Sequence, residues 1–379
     1  MTPWMIVAGD FTPLGGMDAA NHALARYLAA SGVEVHLVTH RAWPDLTALA
    51  PVTVHRVWRP FGRHLLGSPL LAREGGRVWR RLQRRHGHAL VNGGNCRLPG
   101  ANWVHYLHAA YTPIARGSLS RRAKGSLAHR RDLEAERAAL CAAPIVIANS
   151  RRTRRDIVER LGVPERRVHV VYYGSDPTRF GLVTPAQRAA AKEAFGLVES
   201  RPAVGFIGAL GDRRKGFDTL LDAWKTLCAD PAWDADLAVV GSGAELPDWE
   251  ARARAWGIGD RLRFFGFRAD VPDLMAAFDA VVHPARYEAY GLGVHEALCR
   301  GIPAIVSASA GVAERFSSDL SDLLIDDPDD PGELCERLRG WRAAVDGWRT
   351  RAADLSPTLL SRTWDSMAAE LSALVERAA

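Results

Sequence analysis

Short apolar runs alternate with longer amphipathic stretches through the second half of this 379-residue sequence. The apolar runs predict strands near residues 203–208, 235–240, 261–265, 279–283, 303–306 and 322–325, with helices between them. Strands that alternate regularly with helices form a parallel sheet with helices on both faces. The pattern therefore predicts an α/β domain built on a doubly wound parallel sheet.

The first half of the sequence follows the same order less regularly. Apolar runs predict strands at residues 4–10, 33–39 and 52–57, and again at 143–148, and another strand begins at Ala101. A chain of 379 residues is long enough for two domains that each bury a core. We therefore expect a second α/β domain in this half.

The residues best suited to chemistry lie in the stretch 283–314. A predicted strand ends at Pro284, because proline disfavours the helical conformation of the residue before it. Glu288 falls in the following loop, and Glu296 lies in the first turns of a helix that begins after Gly291. Both glutamates are therefore expected at the carboxyl end of a strand, where open parallel sheets bind their ligands.

These two glutamates suit a ligand that carries sugar, ribose and phosphate. Carboxylates accept paired hydroxyl groups, while the amides of Gly291, Leu292 and Gly293 lie at the positive end of a helix and suit a diphosphate. On the residues alone, the alternative is that Glu288 and Glu296 are solvated side chains on a loop and a helix.

Two glycine-containing loops have features of phosphate sites. The loop 208–216 follows a predicted strand, opens a helix and includes Arg213, Arg214 and Lys215. The alternative for this loop is a charged helix start. Gly15-Gly16 follows the first predicted strand, and paired glycines let backbone amides approach a phosphate closely.

The Gly15-Gly16 loop is not the spaced G-x-G-x-x-G fingerprint, and an ordinary tight turn is the alternative. Asp18 is expected to cap the helix that follows. Further along, His105 and His108 lie where a predicted strand runs into a loop, a position from which a histidine can reach a crevice.

Charge is distributed unevenly between the two halves. Residues 1–175 carry 26 basic and 11 acidic residues, a net charge of +15, whereas the remainder carries 23 and 32, a net charge of −9. Residues 73–88 predict a basic amphipathic helix suited to an anionic membrane surface, and residues 116–131 add further basic charge. The alternative is a solvated helix face.

No apolar run approaches the roughly 20 residues that span a bilayer. The sequence therefore predicts a cytoplasmic protein, with peripheral attachment to the inner face of the membrane as an expectation from the basic half. The five cysteines contain no C-x-x-C pair, which argues against a zinc site. We expect neither a metal nor a cofactor.

The stretch 283–314 resembles the donor-site signature of retaining glycosyltransferases of family 4, in which two glutamates are separated by seven residues. Tyr287-Glu-Ala-Tyr-Gly-Leu292 is similar to the family's Glu-x-Phe-Gly segment, with Tyr290 in place of phenylalanine. Lys215-Gly216 matches the Lys-Gly of the family, but Ala209 stands where an arginine is common. Arg213 or Arg214 is expected to replace that arginine.

The resemblance implies the GT-B architecture, with two Rossmann-like domains facing a central cleft. It implies an acceptor-side domain over residues 1–175, a donor-binding domain over 176–355 and a terminal helix over 356–379 that crosses back to the first domain. It also implies roles for individual residues. The donor-binding residues are then Gly15, Gly16, Arg213, Arg214, Lys215, Gly241, Phe267, Arg268, Glu288, Ala289, Tyr290, Gly291, Leu292 and Glu296.

Within that set, the resemblance implies that Glu296 binds the ribose hydroxyls, Glu288 the sugar hydroxyls, and Lys215 with Arg214 the diphosphate. His108 matches the histidine that supports the transferring sugar, so His108, Glu288 and Lys215 are the expected catalytic residues. His105 has no such match. Phe267 and Arg268 belong to the segment whose backbone receives the nucleotide base.

The predicted function is transfer of a hexose from a UDP- or GDP-sugar to a hydroxyl of a sugar, glycan or lipid-linked acceptor, with retention of configuration and without a metal. The donor segments supply lysine, arginines and helix-end amides for the leaving diphosphate. No second carboxylate that would serve as a base is evident beside His108. The alternatives are a sugar-nucleotide epimerase of the same architecture and a basic nucleic-acid-binding protein; we expect no nucleic-acid partner.

Overall fold

The computed structural model describes residues 2–62, 64–114, 119–211 and 213–377, without the side chains of residues 64, 65 and 119–122. The chain divides into two compact units. Unit 1 consists of Met1–Gly174 and Arg362–Ala379, and unit 2 consists of Ser175–Ser361.

Unit 1 is an α/β unit built on a parallel sheet. Its strands are β1 (Trp4–Val7), β2 (Asp10–Phe11), β3 (Val35–Thr39), β4 (Arg41–Ala42), β5 (Val52–Arg56), β6 (His88–Asn92), β7 (Ala101–Val104), β8 (Val146–Ala148) and β9 (Val168–Val170). Its helices before residue 175 are α1 (Gly16–Ala30), α2 (Pro44–Thr47), α3 (His64–Leu82), α4 (Leu119–Ala142) and α5 (Arg151–Leu161).

The seven-stranded sheet of unit 1 has the order β5-β3-β1-β6-β7-β8-β9, with all pairs parallel. The interior strand β1 is buried along its whole length, which explains its uninterrupted apolar sequence. Strand β6 was not predicted. It begins at His88, the residue at which the predicted basic helix 73–88 was expected to end, whereas helix α3 ends at Leu82.

Unit 2 has the more regular alternation that its sequence predicted. Its strands are β10 (Ala203–Ile207), β11 (Asp236–Val240), β12 (Leu262–Gly266), β13 (Ala280–His283), β14 (Ala304–Ser307) and β15 (Leu324–Ile325). Its helices are α6 (Pro185–Ala194), α7 (Phe217–Cys228), α8 (Leu246–Ala255), α9 (Val271–Met275), α10 (Leu292–Cys299), α11 (Pro331–Ala343) and α12 (Val345–Leu360). All six predicted strands are confirmed.

The sheet of unit 2 is parallel, in the order β12-β11-β10-β13-β14-β15. The chain adds strands on one side of β10 and then crosses to the other side to form β13. Such a reversal opens a crevice at the carboxyl ends of the two central strands. The loops after β10 and β13 therefore meet there, which brings together residues that are about 70 positions apart in sequence.

Helix α6 corrects one expectation from sequence. Residues 181–202 are rich in alanine and charge, a composition that by itself predicts an exposed linker with a short helix. Instead, Arg188 and Lys192 of α6 are buried, and both pair with the buried carboxylate of Asp279. The charge pattern of α6 therefore reflects attachment to the sheet of unit 2, because buried charges need partners.

The chain returns to unit 1 through α13 (Trp364–Arg377). The predicted terminal helix 356–379 therefore corresponds to the end of α12 and the whole of α13, separated at residues 361–363. Gly174 packs so closely against Thr363 and Trp364 that a Cβ atom would overlap their backbone. Among the described residues, no helix combines the length and the apolar character needed to cross a bilayer.

Candidate functional site

Two loops of unit 2 meet at the carboxyl ends of β10 and β13. Glu288, in the loop after β13, is paired with Lys215 from the loop after β10. His283, the last residue of β13, lies 3.0 Å from the same oxygen, Oε2, through its Nε2 atom. Arg214 Nη1 is 4.0 Å from that oxygen. The structure thus brings together a carboxylate and three basic side chains.

Burial and the contacts among these four side chains determine the protonation states of Glu288 and His283. Burial alone would raise the pKa of Glu288, but Lys215, His283 and Arg214 hold that pKa well below its usual range. Burial, together with Lys215, lowers the pKa of His283, so that its ring is neutral and Nε2–H donates to Glu288. Glu288 is therefore an ionised acceptor of hydrogen bonds.

The two oxygens of Glu288 have different surroundings. Oε2 receives the contacts from Lys215 and His283. Oε1 has no hydrogen-bond or ion-pair partner within the described ranges of the chain. Since an ionised carboxylate oxygen can accept more than one hydrogen bond, Oε1 can bind hydroxyl groups while Oε2 stays paired.

The two arginines of the loop 208–216 face different partners. Arg213 lies 3.2 Å from Asp218 Oδ2 and 3.4 Å from Glu245 Oε2, and its guanidinium stacks over Trp249 at 5.0 Å. Arg214 instead donates to the carbonyl oxygen of Tyr287, next to Glu288. Of the two predicted replacements for the arginine missing at Ala209, the structure places Arg214 beside Glu288 and Arg213 among acidic partners.

Three glycines let these loops approach one another. Gly216 has a φ of 69°, and a Cβ atom there would overlap the carbonyl oxygen of Pro284. Gly241, predicted to bind the donor, has a φ of 146°, and its Cβ would overlap the carbonyl oxygen of Gly208; a Cβ at Gly243 would overlap Leu210. These glycines therefore permit backbone-to-backbone packing that holds the loop 208–216 in place.

Replacing Gly216 with alanine is expected to lower the free energy of unfolding by at least about 1–2 kcal/mol, since that is the cost of a left-handed conformation for a residue with a Cβ atom. Overlap with Pro284 adds to this cost. Urea denaturation measures the change. Gly347→Ala is the matched control, because no atom lies near its Cβ position in helix α12. Equal stability of both variants would contradict the packing.

Glu296 lies on helix α10, which begins after Gly291. It is half-buried, and its carboxyl group makes no hydrogen bond or ion pair in the described part of the chain. Burial raises the pKa of Glu296 to about 8, although Arg179 and Arg300 act in the opposite direction. An unpaired carboxyl group with a raised pKa is typical of a binding position whose partners come from a ligand.

Tyr290, which occupies the phenylalanine position of the signature, is buried and makes a specific contact. Its hydroxyl lies 3.0 Å from Nδ1 of His295, and Nε2 of His295 lies 2.7 Å from Oγ of Ser175. All three side chains are buried. The phenolic hydroxyl therefore satisfies a histidine that a phenylalanine would leave without this partner.

The remaining predicted donor residues differ in exposure and in their contacts. Phe267 follows β12 and its side chain is 76% exposed, so its ring is accessible to a flat ligand such as a base. Arg268 is held in a two-pronged pair with Asp270. Ala289 is buried, and Leu292 is the first residue of α10.

In unit 1, the Gly15-Gly16 loop begins helix α1. Gly15 is the N-cap, with a φ of 84°, and no atom lies within 4 Å of its Cβ position. Asp18 does not cap the helix as predicted; it lies in the first turn. Burial and the neighbouring Asp10 raise the pKa of Asp18 to about 6.

His108 corrects a second expectation, that no carboxylate lies beside it. Glu136 of helix α4 accepts from the backbone N–H of His108 at 2.8 Å, and its Oε1 lies 3.1 Å from the Nδ1 of the ring. Asp132 Oδ2 is 4.0 Å from Nε2. Burial alone would lower the pKa of His108, but the carboxylates of Glu136 and Asp132 raise it.

His105 has a different environment. It is buried, its Nδ1 lies 2.5 Å from the hydroxyl of Tyr173, and its ring packs 4.2 Å from that of Trp103. Burial lowers the pKa of His105 to about 3, so the ring is neutral. Of the two histidines at this strand end, His108 is the one with a partly exposed side chain.

Comparison with known proteins identifies the family. Residues 14–179 match the model of Glycosyltransferase Family 4, and residues 201–341 match the model of Glycosyl transferases group 1. Together these two segments cover most of the chain. The chain belongs to glycosyltransferase family 4. The match supports a glycosyltransferase over the sugar-nucleotide epimerase considered as an alternative.

This glycosyltransferase is 29% identical over 349 residues to the D-inositol 3-phosphate glycosyltransferase of Salinispora tropica, covering 83% of this chain and 71% of that protein. Its fold is similar to that of WaaG, a glycosyltransferase involved in lipopolysaccharide biosynthesis (TM-score 0.77, 20% identity, 98% of this chain and 99% of that one). It is also similar to Anabaena HepE in complex with UDP and glucose (TM-score 0.73, 17% identity, 100% of both chains). These likenesses confirm the GT-B fold.

Sequence reasoning missed three residues that contact predicted site residues. His283 and His295 lie within the stretch 283–314 but were assigned no role, and Glu136 was not singled out. In the structure they contact Glu288, Tyr290 and His108, respectively. A signal was available for His283, because it directly ends an apolar run and precedes the loop that contains Glu288.

The described part of the glycosyltransferase contains no group of three or more His, Cys, Asp or Glu side chains placed to hold a metal ion. The five cysteines are free, and Cys96, Cys299 and Cys335 are buried.

Proposed function

We propose that this glycosyltransferase transfers a hexose from a UDP- or GDP-sugar to an acceptor hydroxyl with retention of anomeric configuration. The observation that supports this most is Glu288: one carboxylate oxygen is paired with Lys215 and His283, and the other has no partner in the described structure. The Glu288 side chain is 12% exposed, and a carboxylate with one free oxygen beside a cationic loop suits a sugar next to a diphosphate.

In this proposal each candidate site residue of unit 2 binds one part of the donor. Oε1 of Glu288 accepts from sugar hydroxyls, and Glu296 accepts from the two ribose hydroxyls. Lys215 and Arg214 bind the diphosphate, with the amides at the start of α10 as further donors. HepE, a structural neighbour, binds UDP and glucose, which favours UDP as the first donor to test.

The cations also act in the reaction. As the bond between the sugar and the phosphate breaks, negative charge builds on the leaving diphosphate, and Lys215 and Arg214 stabilise it without a metal ion. The leaving phosphate helps to deprotonate the acceptor hydroxyl on the same face of the sugar. This accounts for retention without a protein base. Glu136 is already engaged by two backbone amides and by Nδ1 of His108, so it is not a free base.

Proton NMR of the slow donor hydrolysis tests this mechanism, because water serves as the acceptor. With UDP-glucose and EDTA, the first-formed glucose is expected to be the α anomer, before mutarotation. GDP-mannose, with an α linkage as well, provides the second donor. First-formed β-glucose would overturn retention. Activity that is lost in EDTA and restored by manganese would overturn the metal-independent mechanism.

We also propose that unit 1 docks on an anionic membrane surface, where a lipid-linked acceptor would lie. The exposed side chains of Arg73, Arg77 and Arg80 recur along one face of helix α3, and the exposed Arg84 lies in the turn that follows it. Trp58 and Phe61, just before this helix, are 71% and 86% exposed, and such aromatic side chains favour the membrane interface. Arg116, the first basic residue of the stretch 116–131, lies outside the described residues.

Vesicle sedimentation tests the docking. Each well-placed arginine contributes about 1 kcal/mol, so Arg77→Gln is expected to weaken binding to vesicles containing phosphatidylglycerol about fivefold. Salt at 0.5 M should weaken wild-type binding further. Arg254→Gln, an exposed arginine in unit 2, is the control and should have no effect. Vesicle binding that depends neither on the content of anionic lipid nor on the salt concentration would contradict the proposal.

A further inference from the structure

Glu136 is the least expected acidic residue in unit 1. It lies in helix α4 among many exposed charged residues, yet its side chain is only 1% exposed. It accepts hydrogen bonds from two successive backbone N–H groups, those of His108 at 2.8 Å and Ala109 at 3.0 Å. A buried carboxylate requires such partners, and here they all come from the turn that carries His108.

The same carboxylate also determines the state of the His108 ring. Oε1 of Glu136 lies 3.1 Å from Nδ1. An ionised carboxylate only accepts hydrogen bonds, so Nδ1 must carry the proton. In the neutral ring, Nε2 is then the unprotonated nitrogen, with a lone pair directed away from Glu136.

The groups around Nε2 come from several elements. Asp132 and His129 lie on α4, with Asp132 Oδ2 at 4.0 Å from Nε2 and the His129 ring centroid at 6.5 Å from that of His108. Tyr106 packs edge-on against the ring at 4.9 Å. Arg160 of α5 reaches the carbonyl oxygen of Ala109 at 3.5 Å. Of the two carboxylates, Glu136 is the closer to the ring.

We propose that Glu136 is a positioning residue of the transfer reaction: it fixes the ring orientation and the Nδ1–H tautomer of His108, so that Nε2 is presented to a hydroxyl of the transferring sugar. This inference rests on the proposed function and on the position beside the transferring sugar that the family resemblance implies for His108. The neutral ring is the active form, since an imidazolium would repel the positive charge that develops on the sugar. Turnover should therefore fall at low pH as His108 becomes protonated.

Glu136→Gln tests the proposal, because glutamine keeps the size of the side chain and removes the charge. Loss of the charge should lower the titration midpoint of His108, measured by NMR of histidine-labelled protein, by about one pH unit or more. The acid limb of kcat at saturating donor should move by the same amount. We expect kcat at neutral pH to fall about 10-fold to 100-fold, because glutamine can donate to Nδ1 and so favour the wrong tautomer. Nucleoside diphosphate affinity should stay within twofold.

Glu134→Gln is the matched control, since Glu134 is exposed on the same helix two residues away. It should change neither the midpoint nor kcat. An unchanged His108 midpoint in folded Glu136→Gln would overturn the proposal. A shifted midpoint with unchanged kcat would also overturn it, because the ring would be positioned without serving the reaction. The titration does not require turnover, so an inactive wild-type enzyme would count against the proposed function and not against the positioning.

If Glu136→Gln does not fold, the tautomer of His108 in the wild-type protein tests the proposal instead. Long-range nitrogen-15 NMR distinguishes the two neutral tautomers of histidine. Above its midpoint, His108 is expected in the Nδ1–H form. The Nε2–H form, which is the commoner one in free histidine, would overturn the assignment.

Discussion

Replacing Lys215 with alanine is expected to lower kcat/KM for the nucleotide sugar by about 10²–10³, the typical loss when one preorganised donor to a developing anion is removed. Lys215 contacts Glu288 in the loop pair of unit 2, and in the proposed mechanism it also faces the leaving diphosphate. The charge on the diphosphate grows as the bond breaks. The loss should therefore fall on kcat more than on donor binding.

The variant also removes the closest cation from Glu288. The pKa of Glu288 should then rise, because burial would be opposed only by His283 and Arg214. Initial rates with UDP-glucose, measured with nucleotide affinity by calorimetry, separate the two effects. Lys225→Ala is the control: Lys225 is exposed on helix α7 and its ammonium packs over Trp256. If Lys215→Ala retained more than half of wild-type kcat, Lys215 would be only a partner of Glu288.

Glu296 is expected to make nucleotide binding strongly dependent on pH. In the free protein burial raises its pKa to about 8, so the carboxyl group is largely protonated at pH 7. Ribose hydroxyls that donate to the carboxylate favour its ionised form and lower the pKa in the complex. Between the two pKa values, the free protein holds a proton that the complex has lost. Affinity should therefore increase with pH, by up to about tenfold per unit, and level off above pH 8.

Calorimetry with UDP in two buffers of different ionisation enthalpy measures the released proton directly. At pH 7, binding to the wild-type protein should release close to one proton from this group. Glu296→Gln should abolish that release and, at pH 9, weaken binding by about 1.5–3 kcal/mol, or roughly 10-fold to 150-fold. Arg300→Gln, a neighbour on the same turn of the chain, keeps the carboxyl group and should keep the release. If the affinity of the wild-type protein for UDP did not depend on pH, Glu296 would be excluded from the ribose position.

The two loops of the candidate site in unit 2 could be predicted from sequence because their features are local. The alternation of apolar runs determined the six strands of unit 2, and the spacing of Glu288 and Glu296 around Gly291 determined a loop followed by a helix. Parallel sheets place such loops at the same edge, so the meeting of Lys215 with Glu288 follows from topology. The charged sequence of α6 wrongly predicted exposure, because its features are not local. Burial of Arg188 and Lys192 depends on Asp279, about 90 residues away.

Only the tertiary structure decided which of two adjacent arginines lies beside Glu288. Arg213 and Arg214 are the same residue type side by side, and only the positions of Asp218, Glu245 and Trp249 show that Arg213 is engaged elsewhere. The same holds for Glu136, one of several acidic residues on α4 until the fold brings it to His108. A sequence pattern specifies which residues follow one another along a strand or a helix. The partner of a buried charge depends on contacts between distant segments, and these form only when the chain packs.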